Sequence, residues 1–294
     1  MRDRFEIVGI RPQPEPSPKA RAEGKRKKPV PALFLLGLIA AGCLACETIM
    51  TRDPSYMDLK NCNVPPGGQF FFGTDTMGRD IFSMIWYGGR VSLLIGIAGA
   101  AVSAFIGVIY GAASGWAPSW LDRLMMRSVE ILLGVPDLLL LILLQAVLGE
   151  ANVWTLSLVI GVTGWFGIAK VVRTEVRQIR DSEYVAAARC MGGGFFYVLV
   201  RHLLPNFVPS LMFMVVMNIR SGIAAESTLS FLGLGLPLSV VSWGSMLSLA
   251  EKALLTRSWW VILIPGIFLV TTLFCITSLG NELRKRGNRR ESNL

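Results

Sequence analysis

Apolar runs about 20 residues long, each enough to cross roughly 30 Å of hydrocarbon as a helix, recur along this chain of 294 residues. They are continuous rather than alternating with a period of two, which excludes a transmembrane β-barrel and leaves the helix as the way to satisfy the backbone in lipid. Only 17% of the residues are charged. The runs predict six transmembrane helices, over about 31–50, 90–115, 131–148, 153–172, 209–232 and 258–279. The expected fold class is an all-α polytopic membrane protein.

The net charge of +9 would also suit a nucleic-acid partner, so the position of the cations decides its meaning. Nine of the 29 Lys and Arg precede Pro31, ending in Lys25, Arg26, Lys27 and Lys28. Segments 1–30, 116–130, 170–207 and 281–294 hold 22 of the 29, segments 51–90, 150–152 and 233–257 hold 6, and Arg220 lies within a run. By the positive-inside rule the first set is cytoplasmic, as are both termini. That rule accounts for the charge, and no aromatic residues are interleaved with it, so no nucleic-acid partner is expected.

The chain therefore divides into a disordered basic cytoplasmic tail (1–30), a first span (31–50) and an extracytoplasmic segment (51–89). A core of five further spans (90–280) follows, with a cytoplasmic loop over 173–208, and then a basic tail (281–294). No small-residue cleavage site follows the first run, which is expected to stay as an anchor. Cys43 and Cys46 form a CxxC inside that run, where cysteine behaves as a small hydrophobe rather than a redox or metal pair.

The stretch 183–205 is too polar to span a bilayer, although spans flank it on both sides. It opens as a strong helix former with Asp181 and Glu183 in front and Arg189 behind, the charge order a helix dipole favours, and Gly192, Gly193 and Gly194 stop it. Tyr184, Ala187, Ala188 and Met191 fall at helical spacing and form one face, small in the middle, shaped for a partner's groove. On the outer side, Gly73 and Gly78 read as turn residues, and Asp80 as the cap of a short amphipathic surface helix bearing Ile81, Phe82, Ile85 and Trp86.

Catalytic chemistry finds no support. No GxxxxGK[ST] loop is present to cradle ATP, no GxSxG elbow occurs, and the single histidine, His202, rules out an HExxH zinc site. No catalytic residue and no metal ligand is expected. Asp137, Asn218, Arg220 and Glu226 lie within runs, where ionisable groups are costly and face a cavity, a partner or each other. Arg220 and Glu226, six residues apart, sit on different sides of one helix, so a polar pathway along the fifth span or a contact with a second subunit remain equal readings.

Ala186-Ala187-Ala188 followed by Gly192 and Leu204-Pro205 resembles the cytoplasmic coupling-loop motif of ABC importer permeases, with Ala186 where the motif has Glu. Gly73-Thr74-Asp75 with Gly78-Arg79-Asp80, and Glu226 followed by Leu229-Ser230-Phe231-Leu232-Gly233-Leu234-Gly235 and Trp243-Gly244-Ser245-Met246-Leu247, narrow the resemblance. Over about residues 70–280 the chain is similar to the C-type subunit of the oligopeptide/dipeptide/nickel permease family. At the end, Gly280-Asn281-Glu282-Leu283-Arg284-Lys285 departs from the family's acidic Gly-Asp-Gly-Leu-Arg-Asp pattern.

The resemblance implies a type I (MetI-like) fold in a prokaryotic cytoplasmic membrane, crossing the lipid bilayer several times. The implied partners are a B-type permease subunit in a heterodimer, two ABC ATPases that bind ATP and Mg, and an extracytoplasmic solute-binding protein. This chain would hold no cofactor. ATPase closure would push on Glu183, Tyr184, Ala186, Ala187, Ala188, Met191, Gly192 and Pro205 and rock the spans between two access states. Asp75, Arg79, Asp80 and Trp243 are the expected docking residues on the outer side. Peptides, nickel chelates and glutathione-like solutes fit the family equally. The alternative is a self-contained channel or ion-coupled carrier built on Asp137, Arg220 and Glu226.

Overall fold

The first apolar run forms a helix over Val30–Leu44 (α1), which breaks at Ala45 and resumes over Cys46–Ile49 (α2) in the computed structural model of the protein, which describes residues 30–291. The basic tail expected over 1–30 falls, up to residue 29, outside the described residues. Among those described no strand forms; the only pairing of that kind is an isolated bridge between Thr74 and Asp80.

The expected short surface helix after Asp80 is overturned. Asp80 does cap a helix, its side chain accepting from the Ser83 N–H, but that helix runs without interruption over Ile81–Trp116 (α3), 36 residues that absorb the second span. Ile81 and Ile85 are buried rather than laid on an interface. The reason is tertiary. Gly88 and Gly89 lie where Ser242, Trp243 and Cys43 press against the helix, so the segment is enclosed by other elements instead of meeting lipid headgroups.

Two further runs are bent. The third run, expected over about 131–148, does not form one helix: its first residues end an amphipathic helix over Ser119–Leu133 (α4), which takes in the segment read as a cytoplasmic turn, and the rest forms an apolar helix over Asp137–Leu148 (α5), at 90° to it. Pro136 forces the break, because a residue before proline is driven out of helical conformation. The fourth divides at Trp165 into Val153–Gly164 (α6) and Phe166–Ile179 (α7), bent by 45°. The later helices are Glu183–Cys190 (α8), Phe195–Val198 (α9), Leu204–Phe231 (α10), the short Trp243–Leu247 (α11) and Ala250–Leu255 (α12), and Trp260–Glu291 (α13). Among the described residues two helices could cross a bilayer by length and composition, or four if each bent pair is one span.

α3 is the central element, packing on α6, α7 and α10. Its small residues set the approach, the usual device where packing rather than hydrophobicity holds membrane helices together. A Cβ on Gly107 would stand 2.7 Å from Ile168 Cβ, one on Gly111 2.5 Å from the Ala169 carbonyl, and one on Gly115 2.9 Å from the Arg173 carbonyl. Gly111→Leu is expected to force α3 and α7 apart and to lower stability by about 2 kcal/mol, as overpacking does. Thermal unfolding in detergent reads this, with Gly37→Leu as the control because nothing lies within 4 Å of a Cβ there.

Candidate functional site

α8 docks on the rest of the chain through two residues. Val185 and Ala188 are 0% and 3% exposed and join Ala112, Ile168, Val172, Val176 and Leu203 in one apolar cluster. The face expected to point outward therefore loses one member. Ala188 turns inward, because the helix is short and needs a buried side of its own to stay folded. Tyr184, Ala187 and Met191 remain exposed, as do Glu183 and the motif variant Ala186.

The glycines close α8 as the sequence requires. The Gly193 N–H donates to the Ala188 carbonyl (3.0 Å) and Gly192 adopts φ +86, the left-handed residue of a Schellman cap. After α9, Leu199–Leu203 form a π turn in which the Leu204 N–H donates to the Leu199 carbonyl. Pro205 explains it. Its ring carries no N–H and crowds the carbonyl one turn earlier, so the extra residue lets the chain enter α10 without a clash.

A charged clasp holds this region to the neighbouring helix. Asp122 of α4 is 1% exposed; its carboxylate accepts from Arg173 Nε (2.5 Å) and Nη2 (2.6 Å) and from Ser114 Oγ (2.6 Å), and Arg177 Nη1 lies 3.1 Å away. Arg180 donates to the Gly115 carbonyl at 3.0 Å. The Arg173 guanidinium, opposed by burial and aided by Ser114 and Arg177, pulls the Asp122 carboxyl down to about 2. In the charge count these arginines bear only on sidedness. The spacing of Arg173 and Arg177, four apart on one helical face, is the signal that these two share a partner.

A carboxyl held below its ordinary value of about 3.9 stabilises the fold fully above that pH, and the contribution disappears as pH falls through about 2. Asp122→Asn should remove this acid-dependent step, so between pH 4 and 2 the unfolding midpoint should fall less in the variant than in the wild type. Parallel curves would show that the clasp contributes nothing.

On the opposite side of the molecule, Glu226 is wholly buried. Its Oε1 accepts from Ser242 Oγ (2.7 Å) and Ser230 Oγ (3.1 Å), its Oε2 from Ser92 Oγ (3.1 Å) and Ser227 Oγ (3.3 Å). Hydroxyls from α3, α10 and the cap of α11 thus converge on one carboxylate. Trp243, 0% exposed, joins the same knot, its backbone N–H donating to Ser92 Oγ (3.2 Å) and its indole N–H to the Ile85 carbonyl (2.9 Å).

Asp75, Arg79 and Asp80 are 1%, 2% and 3% exposed. Arg79 Nε meets Asp75 Oδ2 at 2.7 Å, and its Nη1 donates to the Leu238 carbonyl at 3.2 Å. Asp80 Oδ2 accepts from Ser83 Oγ (2.6 Å) and Thr51 Oγ1 (2.8 Å). Gly73 and Gly78 turn the chain at φ +76 and +74. These side chains are committed within the chain and tie the 51–80 segment to the loop after α10.

The four residues grouped as a pathway are not brought together. Glu226 lies inside the serine knot, Asn218 is half-buried with its amide 3.4 Å from the Met214 carbonyl, and Arg220 is exposed. Asp137 opens α5 in a run, 130–139, whose side chains are all exposed.

Comparison with known proteins places residues 104–286 within the family model described as binding-protein-dependent transport system inner membrane component. The chain is 39% identical over 222 residues to the dipeptide transport system permease protein DppC of Bacillus subtilis, covering 76% of this chain and 69% of that protein. It is 36% identical over 252 residues to the oligopeptide transport system permease protein OppC of the same organism, covering 86% and 82%. With OppC of Haemophilus influenzae the identity is 40% over 217 residues, covering 74% and 69%.

Proposed function

Because the chain belongs to the binding-protein-dependent transport permeases, and within them to the C-type oligopeptide/dipeptide permeases, we propose that it carries peptides or similar small solutes across the cytoplasmic membrane as the partner of a B-type permease subunit. In this reading the chain crosses the bilayer six times with both termini inside. α4–α5 and α6–α7 each count as one bent span, the α4 arm lying along the inner face. Two ATPases bind and hydrolyse ATP with Mg outside this chain, and a binding protein delivers the solute to the outer side.

The observation that carries the proposal is the geometry of α8. A short helix is fastened by Val185 and Ala188, ended by a glycine cap, and joined through a π turn to the long helix α10, while Tyr184, Ala187 and Met191 face outward. A push on that face is transmitted through the apolar cluster to α3, α7 and α10 together. The buried outer residues Asp75, Arg79, Asp80 and Trp243 then serve by shaping the surface that receives the binding protein rather than by touching it. Glu226 is enclosed by serines, so no observation favours an ion-coupled carrier built on it.

Expression of the tagged chain with its genomic neighbours should copurify an ATPase, and proteoliposomes holding the complex should take up peptide only with ATP. Uptake without ATP, or purification without any ATPase, would overturn the proposal.

A further inference from the structure

A cleft of about 530 Å³ opens between α4 and α7, lined by Arg123, Arg127, Lys170 and Arg173 with one acid, Glu130. Two of its cations are engaged, Arg127 with Glu130 at 3.0 Å and Arg173 with the buried Asp122. Arg123 and Lys170 have no carboxylate partner among the described residues, so the cleft keeps a surplus of positive charge.

Its position narrows the ligand. Gly111 and Gly115 of α3 pack on Ala169 and Arg173, which sets the cleft level with the end of that apolar helix; where such a helix crosses a bilayer, its end is where hydrocarbon gives way to headgroups. α4 is amphipathic and turns by 90° from α5, and beside the cations it exposes Trp120, Leu124 and Ile131 at 63%, 60% and 72%. A helix with cations on one flank and Trp and Leu on the next lies in the interfacial plane. Basic pockets between spans at that depth recognise acidic headgroups.

We propose that this cleft binds the phosphate-bearing headgroup of an anionic phospholipid, with Arg123 and Lys170 as the phosphate contacts and the acyl chains lying along Trp120, Leu124 and Ile131. A free phosphate would satisfy the cations but would leave the apolar stripe unused. The inference needs only that α3 and the bent pair α6–α7 cross the bilayer, not that the protein transports peptides.

Native mass spectrometry of the full chain in mild detergent, titrated with phosphatidylglycerol or with phosphatidylcholine, tests it. Retained phosphatidylglycerol adducts should exceed phosphatidylcholine adducts by about tenfold. The double variant Arg123→Gln/Lys170→Gln should lose that preference and keep its phosphatidylcholine binding. Both side chains line an open cleft and Arg123 is exposed, so folding should be unaffected, and Arg123→Gln alone should give an intermediate loss. Equal retention of the two lipids by the wild type would overturn the proposal and leave the cations to an acidic protein surface. An unchanged preference in the double variant would overturn the site. Displacement of the lipid by millimolar inorganic phosphate would overturn the lipid as the source in favour of the free anion.

Discussion

Replacing Ala187 by Arg is expected to lower ATP-driven uptake at least about tenfold while leaving the chain inserted and folded. Ala187 is exposed on α8 between Tyr184 and Met191, so within this chain the larger side chain meets nothing, and a surface change of that kind shifts stability by about 0.5 kcal/mol or less. Against a partner's groove the same change adds length and an unpaired charge at the centre of a contact made by small residues, a repulsive element of the kind that sets specificity. A loss of about 1.4 kcal/mol in docking is already tenfold. Uptake by proteoliposomes, together with copurification of the ATPase, measures it. Normal uptake by the variant would remove α8 as the coupling element. Ala188→Arg is the contrast: with Ala188 3% exposed, it should loosen α8 itself and appear as local unfolding in hydrogen exchange over 183–194.

Glu226→Ala should be strongly destabilising, by about 3 kcal/mol or more. Four serine hydroxyls now donate to the carboxylate, and removing it leaves buried donors unsatisfied at about 1–3 kcal/mol apiece where no other acceptor is in reach. A void remains as well, against Gly244, whose Cβ would stand 2.8 Å from Glu226 Oε1. Glu226→Gln keeps the volume and an acceptor oxygen, so its cost should be clearly smaller. The unfolding midpoint in detergent orders the three proteins as wild type, Gln, Ala. An unchanged midpoint for Glu226→Ala would show that the serines do not depend on the carboxylate. The prediction concerns the fold, because Glu226 is wholly buried with both oxygens held by serine hydroxyls.

Much of α8 is legible in the sequence. Acids in front, alanines within and three glycines behind predict a short helix over about 183–191, and it runs over Glu183–Cys190 with Gly192 in the left-handed conformation. Its periodicity defines a face but cannot say whether Ala188 belongs to the side that a neighbour covers. Ile168, Val172 and Leu203, arriving from α7 and the π turn, decide that. The same holds for Ile81 and Ile85. An amphipathic pattern next to a span suits an interfacial helix and a buried helix end equally, and contacts from Ser242, Trp243 and Cys43 select the second.

Local pattern in this chain settles what depends on neighbours within a few residues: all-helical membrane character from the length of the apolar runs, the stop at Gly192, and the Asp80 cap. Family membership is readable too, because its motifs are local strings. The tertiary structure alone decides which polar groups are satisfied and by whom. Asp122 reaches Arg173 across 51 positions and Glu226 reaches Ser92 across 134. In a low-dielectric interior an unpaired charge is too costly to leave, so each must find a partner. Sequence spacing gives no measure of that partner, since the pairing depends on which helices the glycine seams of α3 allow to come close.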